Sequence, residues 1–227
     1  MPGFWLNASS WAAVEPALTA AGHTVRALTL PGLESPAADR DGIGVPDHVA
    51  AIVAAIDAAG RDEPVVLVAH SGGGPIAYAA TDARPDRVAR VVLVDAGPLP
   101  SGAAVNDALP EVDGQVPLPD WSFFDDADLI DLTDDLRAAM RSAAVPEPAA
   151  VTRDPVELSD PRRREVPVTV IATSMSTAQI RELIDAGHPA MGELAALRHC
   201  RLVDVPTGHW PQFTRPAELA AAILAEL

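Results

Sequence analysis

Residues 64–78 place a short apolar run directly before a glycine-rich turn, and this combination restricts the folds open to the chain. The run at 65–68 (Val-Val-Leu-Val) predicts a short buried strand, because it is wholly apolar and mostly β-branched. The glycines at 72–74 then predict a sharp turn. Pro75 opens an alanine-rich segment, and proline is tolerated in the first turn of a helix. The stretch therefore predicts a strand, a tight turn and a helix in immediate succession.

One nucleophilic side chain, Ser71, lies between the predicted strand and the predicted helix. Ala69 and Gly73 stand two positions before and two after it, where a sharply bent backbone around a serine requires small residues. The pattern resembles the nucleophile elbow G-x-S-x-G of the α/β-hydrolase superfamily, with alanine at the first glycine position. The resemblance implies a mostly parallel central sheet with helices on both faces, and it implies Ser71 as the nucleophile.

The rest of the chain alternates between predicted strands and predicted helices, which favours a parallel sheet covered on both faces. We predict further strands at residues 24–28, 87–94, 166–171 and 201–205. We predict further helices at residues 7–21, 47–59, 178–186, 190–197 and 216–227. Outside residues 98–161, the resemblance to serine esterases of the superfamily covers nearly the whole chain.

Residues 98–161 differ from the remainder, because they are rich in proline and acidic residues and contain one helical run near 125–142. Insertions of this length are usually functional. We therefore expect an α/β-hydrolase core of residues 1–97 and 162–227, with 98–161 as a lid. Aromatic side chains of the lid and of the chain start are candidates for an apolar substrate pocket, with a role in the core as the alternative: Trp5, Trp121, Phe123 and Phe124.

A serine nucleophile needs a base within hydrogen-bond reach, and in the resembled superfamily this histidine comes last in the chain. Thr207-Gly208-His209 follows the predicted last strand and resembles the superfamily's histidine loop, which implies His209 as the base. His70, directly before the serine, is expected to pack beneath the elbow. The other histidines lie near predicted helix ends or within helices and are read as solvated or structural.

The acid that orients the base has several candidates. Superfamily members usually carry it after the strand predicted here at 166–171, but residues 172–177 contain no carboxylate. Some branches carry it after the preceding strand, where this chain has Asp95, and a buried carboxylate there needs a partner such as the histidine. We favour Asp95; its alternative role is a cap for the lid's first turn. Asp185 and Asp204 are the fallback candidates.

The resemblance also implies an oxyanion hole. One donor in this superfamily is the N–H after the nucleophile, here Gly72. The second follows an early His-Gly motif, which Pro2-Gly3-Phe4 resembles with proline in place of histidine, so the N–H of Phe4 or of Trp5 is implied. The superfamily has a central strand before this motif, whereas only Met1 precedes it here. Because a central strand cannot be lost without orphaning its neighbours' hydrogen bonds, we expect either further chain upstream, which we favour, or a substitute strand.

Composition excludes several functions. With 32 acidic and 16 basic residues, the formal net charge is -16, which argues against nucleic acid and anionic membranes as partners. The single cysteine, Cys200, permits no internal disulfide and favours a reducing, cytoplasmic location. The sequence has no apolar run of membrane-spanning length, no metal-ligand cluster and no dinucleotide fingerprint, so we expect neither a metal nor a cofactor.

The function implied by these residues and the resemblance is hydrolysis of a carboxylic ester or lactone of a small, apolar substrate through an acyl-enzyme. Serine in the elbow disfavours epoxide hydrolases and dehalogenases, which use aspartate there. A cofactor-free lyase or a thioesterase on the same three residues is one alternative. A non-hydrolytic small-molecule receptor on the same fold is the other.

Overall fold

The computed structural model describes residues 1–61 and 63–227. Its strands are β1 (Val65–His70), β2 (Val88–Val94), β3 (Gln115–Val116), β4 (Glu147–Pro148), β5 (Val168–Ala172) and β6 (Cys200–Asp204). The order β1-β2-β5-β6 forms a sheet in which every pair is parallel, while β3 and β4 form a separate antiparallel pair within residues 98–161. The crossovers between parallel neighbours require helices, which the intervening segments supply.

The α-helices are α1 (Glu15–Ala20), α2 (Val45–Asp57), α3 (Gly73–Ala83), α4 (Asp134–Ala143), α5 (Ala149–Arg153), α6 (Thr177–Asp185), α7 (Gly192–Ala195), α8 (Pro211–Thr214) and α9 (Pro216–Leu224). Shorter 3-10 turns occupy Ala8–Trp11, Trp121–Phe123, Pro161–Glu165 and Pro189–Met191. Within the described part of the chain, none of these helices is both long and apolar enough to traverse a bilayer.

Alternate residues of β2 enter two different cores. Val91 and Leu93 pack in the core shared with α2 and α3, whereas Val92 and Val94 pack in the core shared with α9. This alternation follows from the two-residue period of a strand, and both faces are apolar because both are covered by helices. The predicted α/β-hydrolase fold, with helices on both faces of a parallel sheet, is confirmed.

The predicted strand at 24–28 is wrong, because this segment forms no ladder with any described residue. A groove separates residues 22–28 from β1, so the segment has no strand beside it to accept or donate hydrogen bonds. At one end of the groove the Met1 amino group donates to the Val68 carbonyl (2.5 Å). The Met1 carbonyl accepts from the His70 N–H (3.2 Å), so among the described residues Met1 alone pairs with this edge of β1.

The single helix predicted at 7–21 is also wrong, since the segment divides into the 3-10 turn Ala8–Trp11 and α1. Pro16 is the physical cause, because proline lacks an N–H and is accepted only in the first turn of a helix. Asn7 caps the first piece, its side chain accepting from the Ser9 N–H at 3.0 Å.

The long helical run predicted near 125–142 is shorter in the structure, where only α4 is helical. Asp131 has φ of 63° and so cannot belong to a right-handed helix, and Thr133 then caps α4 by accepting from the Leu136 N–H. The insertion also contains α5 and the pair β3–β4, so the expectation of one helix there is wrong as well.

Candidate active site

Ser71 occupies the bend between β1 and α3, and its backbone is strained there. Its φ of 49° lies in the left-handed region, which residues other than glycine rarely adopt. The bend is held by the Ser71 N–H, which donates to the Val94 carbonyl at 3.0 Å. Gly73 must lack a side chain, because a Cβ there would overlap the backbone carbonyl oxygen of Pro2. The bend places the half-buried Ser71 side chain at the carboxyl end of β1.

Ser71, His209 and Asp95 form a continuous hydrogen-bonded relay. Ser71 Oγ lies 2.7 Å from His209 Nε2, and His209 Nδ1 lies 2.6 Å from Asp95 Oδ2. Because an ionised carboxylate only accepts, Nδ1 carries the imidazole proton and the Nε2 lone pair accepts from the serine hydroxyl. The His209 side chain is 20% exposed while that of Asp95 is 8% exposed, so the base is reachable from solvent and the acid is covered.

Asp95 follows β2 directly, and the loop after β5 surrounds its carboxylate with donors. Oδ1 accepts from the backbone N–H groups of Thr173 (3.1 Å) and Ser174 (3.0 Å). Oδ2 accepts from the Ser174 hydroxyl at 2.7 Å as well as from His209. Burial alone would raise the pKa of Asp95, but the bonds from His209, Ser174 and Thr173 hold that pKa well below its usual value.

The loop after β5 thus has a role that the sequence reasoning missed. It stands where the superfamily usually carries its acid and contains none, but its Thr-Ser pair supplies donors to the acid on the neighbouring strand. Of the fallback acids, Asp204 accepts from Thr177 and Asp185 is exposed at the end of α6. Within the described chain, neither of these two carboxylates hydrogen-bonds to His209.

The chain start lies against the bend that carries Ser71. A Cβ on Gly3 would stand 2.8 Å from the Ser71 Cβ, and one on Gly72 would stand 2.6 Å from the Phe4 ring. The N–H groups of Phe4 and Gly72 have no acceptor among the described residues. The Trp5 N–H, the other predicted donor, is directed elsewhere, because it donates to Glu147 Oε2 at 3.3 Å. Of the predicted donors, the N–H groups of Phe4 and Gly72 are thus the two that no described acceptor engages.

His70 lies beneath the bend, as expected, and also contacts the loop that carries His209. Its Nε2–H donates to the His209 carbonyl (2.6 Å), and its Nδ1 accepts from the Gln212 amide (3.3 Å). Burial, followed by the nearby His209, lowers the pKa of His70 to about 3, so the ring is neutral and this donor pattern is retained at ordinary pH. The role of Gln212 could not be predicted from the sequence, because its contact to His70 joins residues 142 positions apart.

The insertion contacts the histidine loop through the backbone. The His209 N–H donates to the Asp128 carbonyl (2.8 Å) and the Gly208 N–H to the Ile130 carbonyl (3.1 Å). A Cβ on Gly208 would overlap the Asp128 carbonyl oxygen, so the close approach requires glycine at this position. The Asp128 carboxylate is also within 4.8 Å of the polar atoms of Asp95 and His209, which places a second acidic group beside the relay.

Most of the predicted pocket aromatics form one cluster beside His209. The centroid distances are 5.9 Å for Trp5–Phe124, 5.2 Å for Phe124–Trp210, 5.8 Å for Trp121–Trp210 and 4.9 Å for His209–Trp210. Phe123 contacts Phe124 but is 47% exposed, so it lies at the outer edge. The sequence reasoning missed Trp210, which is buried and joins the cluster to the histidine. Its position directly after His209 was the available signal.

The chain is similar in sequence to known proteins. The chain matches the profile of the Alpha/beta hydrolase family over residues 1–222. The lipase LipV of Mycobacterium tuberculosis is 40% identical over 74 residues, which is 33% of this chain and 27% of the lipase. The match thus spans about a quarter of that relative's length.

Two solved structures are similar over nearly the whole chain. An extracellular alpha/beta-hydrolase from a Paenibacillus species has a TM-score of 0.78 at 21% identity and covers 99% of this chain and 96% of its own. The methylesterase MES16 from Arabidopsis has a TM-score of 0.76 at 17% identity and covers 100% of this chain and 96% of its own. At such identities the likeness shows the fold alone.

Proposed function

Because the chain belongs to the alpha/beta hydrolase family, we propose that it is a serine hydrolase that cleaves a carboxylic ester or lactone of a small, apolar substrate. The observation that carries the proposal is the relay from Ser71 through His209 to Asp95, with separations of 2.7 Å and 2.6 Å. An unactivated serine is a weak nucleophile, and a base oriented by a buried carboxylate is the arrangement that activates it.

In the proposed reaction Ser71 Oγ attacks the acyl carbon while His209 Nε2 takes the hydroxyl proton. Asp95 stabilises the imidazolium that results. The tetrahedral intermediate collapses as His209 returns the proton to the leaving alcohol, which leaves the acyl group on Ser71. A water molecule then attacks the acyl-enzyme, His209 takes and returns its proton in the same way, and the carboxylic acid and free serine are released.

The oxyanion of each intermediate is assigned to the N–H groups of Phe4 and Gly72. Gly72 follows Ser71 in the chain, and Phe4 follows Gly3, which packs against Ser71. Neither N–H group has an acceptor among the described residues, so both are free to donate when negative charge develops. Loss of one such donor typically costs about 10²–10³ in rate.

The substrate preference is proposed from the surroundings of the relay. Residues 98–161 act as the lid, since they contact both the histidine loop and the chain start. Trp5, Trp121 and Phe124 provide the apolar wall, and the Asp128 carboxylate disfavours anionic substrates. A cytoplasmic location stays a prediction, and one structurally similar protein is described as extracellular.

The experiment that tests the proposal is intact-mass measurement after treatment with a fluorophosphonate, which labels only an activated serine. We expect one label on the wild type, no label on Ser71→Ala, and strongly slowed labelling of His209→Ala. Ser142→Ala, which removes an exposed serine on α4, is the matched control and should label like the wild type. A folded wild-type protein that takes up no label would overturn the proposal and favour the receptor alternative.

Product analysis separates the remaining alternatives. With p-nitrophenyl butyrate, we expect stoichiometric release of nitrophenol and butyrate by the wild type. Faster turnover of the matched butyryl thioester would instead identify a thioesterase. A labelled serine with no turnover of either ester or thioester would direct the search to lyase substrates.

A further inference from the structure

Three residues of the insertion form hydrogen bonds with Trp5. The Trp5 N–H donates to Glu147 Oε2 (3.3 Å), and the Trp5 carbonyl accepts from the Val145 N–H (2.9 Å). The indole Nε1–H donates to the Val116 carbonyl (3.0 Å). All three partners belong to residues 98–161, while Trp5 adjoins one of the two proposed oxyanion donors. The insertion therefore contacts the part of the core that would stabilise the transition state.

Trp5 needs such support because its backbone conformation is unfavourable. Residues 3–6 form a turn closed by the Leu6 N–H, which donates to the Gly3 carbonyl at 3.3 Å. In this turn the third residue, Trp5, has a positive φ of 64°, whereas the second, Phe4, does not. This combination is the signature of a type II turn. That position favours glycine or asparagine, and a tryptophan there gains from rotating the Phe4–Trp5 peptide towards type I.

Glu147 opposes this rotation. Rotation of the peptide would swing the Trp5 N–H away from the carboxyl and bring the Phe4 carbonyl oxygen towards it. The Trp5 N–H is also the one hydrogen-bond donor that the described residues offer to Glu147, whose side chain is 1% exposed. Burying a carboxyl group with so few hydrogen-bond donors around it costs free energy, so packing alone does not explain a glutamate at this position.

The other polar groups near Glu147 do not replace this contact. His48 Nδ1 is 3.9 Å from Glu147 Oε1, beyond hydrogen-bond distance, and His48 Nε2–H donates to the Pro31 carbonyl. The Arg40 guanidinium also lies near Glu147, but it donates to backbone carbonyls, among them that of Pro146 (2.8 Å). Burial raises the pKa of Glu147 to about 8.

We propose that Glu147 is a positioning residue for the oxyanion hole: by accepting the Trp5 N–H it holds the Phe4–Trp5 peptide in the type II turn. This fixes the backbone of Phe4, whose own N–H, on the preceding peptide, is the proposed donor to the oxyanion. Because its N–H is bound to Glu147, Trp5 does not compete with Phe4 as a donor to the oxyanion. The insertion therefore decides which of these two N–H groups serves in the hole. The lid thus takes part in assembling the hole as well as in covering it. This inference rests on the proposed function.

The test compares Glu147→Leu, which removes the acceptor, with Glu147→Gln, which retains an amide oxygen for the Trp5 N–H. Hydrolysis of p-nitrophenyl butyrate and inhibition by a trifluoromethyl ketone, which mimics the tetrahedral intermediate, are measured for each. We expect Glu147→Leu to lose about 10- to 10²-fold in kcat and a similar factor in inhibitor affinity, with KM nearly unchanged. Glu147→Gln should recover most of both. Equal values of kcat and inhibitor affinity in Glu147→Leu and the wild type would overturn the inference.

A matched control separates positioning from general stability. Glu193→Gln alters another buried carboxylate, which pairs with Arg163 and Arg164 rather than with the chain start. Glu193→Gln should lower the midpoint of thermal unfolding, but the ratio of the inhibitor dissociation constant to KM should stay as in the wild type. A wild-type protein that neither hydrolyses the ester nor reacts with fluorophosphonate would instead contradict the proposed function itself, so the two failures are distinguishable.

A second readout decides the matter if Glu147→Leu does not fold. Ionisation of the carboxyl strengthens its bond to the Trp5 N–H, because hydrogen bonds to a charged acceptor are stronger. The kcat of the wild type should therefore rise through a step near pH 8 that Glu147→Gln lacks. The same step in both proteins would overturn the inference.

Discussion

Replacement of Asp95 by asparagine tests the proposed relay most directly, because the structure dictates how the amide must sit. The Asp95 Oδ1 position accepts the backbone N–H groups of Thr173 and Ser174, so the amide oxygen has to remain there. The amide NH₂ then takes the position of Oδ2, which faces His209 Nδ1 at 2.6 Å. Since this NH₂ can only donate, it selects the imidazole tautomer with its lone pair on Nδ1.

The magnitude follows from that tautomer. With the proton on Nε2, His209 donates to Ser71 Oγ and cannot accept the proton that the serine must lose. Substitutions of this kind in other serine enzymes cost about 10⁴ in kcat, which is about 5.5 kcal/mol of transition-state stabilisation at about 1.4 kcal/mol per tenfold change. Because asparagine is nearly isosteric and keeps both bonds at Oδ1, we expect KM to change little.

The assay is steady-state hydrolysis of p-nitrophenyl butyrate, supported by the rate of fluorophosphonate labelling. Asp204→Asn and Asp185→Asn serve as matched controls, because each removes a carboxylate that the sequence left as a fallback acid. Both should retain wild-type kcat. An Asp95→Asn protein with more than about a tenth of the wild-type kcat would refute the reasoning, since correct tautomer selection would then not depend on Asp95.

Other predictions follow from single contacts. Because burial raises the pKa of Glu147 to about 8 from 4.5, the folded state holds this proton more tightly than the unfolded state. As the pH rises from 4.5 to 8, the free energy of unfolding of the wild type should therefore decrease, by at most about 5 kcal/mol. Urea titrations of Glu147→Gln should not show this decrease with pH. Gly208→Ala should lower kcat at least about tenfold by displacing the Asp128 carbonyl, whereas the control Gly97→Ala, whose added methyl group meets open space, should leave kcat unchanged. Equal kcat values in the two variants would contradict the close contact between Gly208 and Asp128. His70→Phe should cost about 1–3 kcal/mol of stability in urea denaturation, because it leaves the partly buried His209 carbonyl without its donor; an unchanged midpoint would count against that bond.

Several features were predictable because their causes are local. The apolar run of β1, the small residues around Ser71 and the alternation of strands with helices depend on neighbouring residues, so the fold class followed from the sequence. The predicted strand at 24–28 failed because a strand exists only with a hydrogen-bonded neighbour, and whether that neighbour is present is not written in the segment itself.

The candidate site divides in the same way. Sequence reasoning proposed Ser71, His209 and Asp95, since the serine bend and the histidine after the last strand are recognisable patterns, and their roles stay predictions until tested. Tertiary structure alone decided that Asp95 and not Asp204 meets the histidine, and that Glu147 takes the Trp5 N–H across 142 positions. Such contacts join segments whose separation is set by the packing of the whole chain, and no local pattern encodes them.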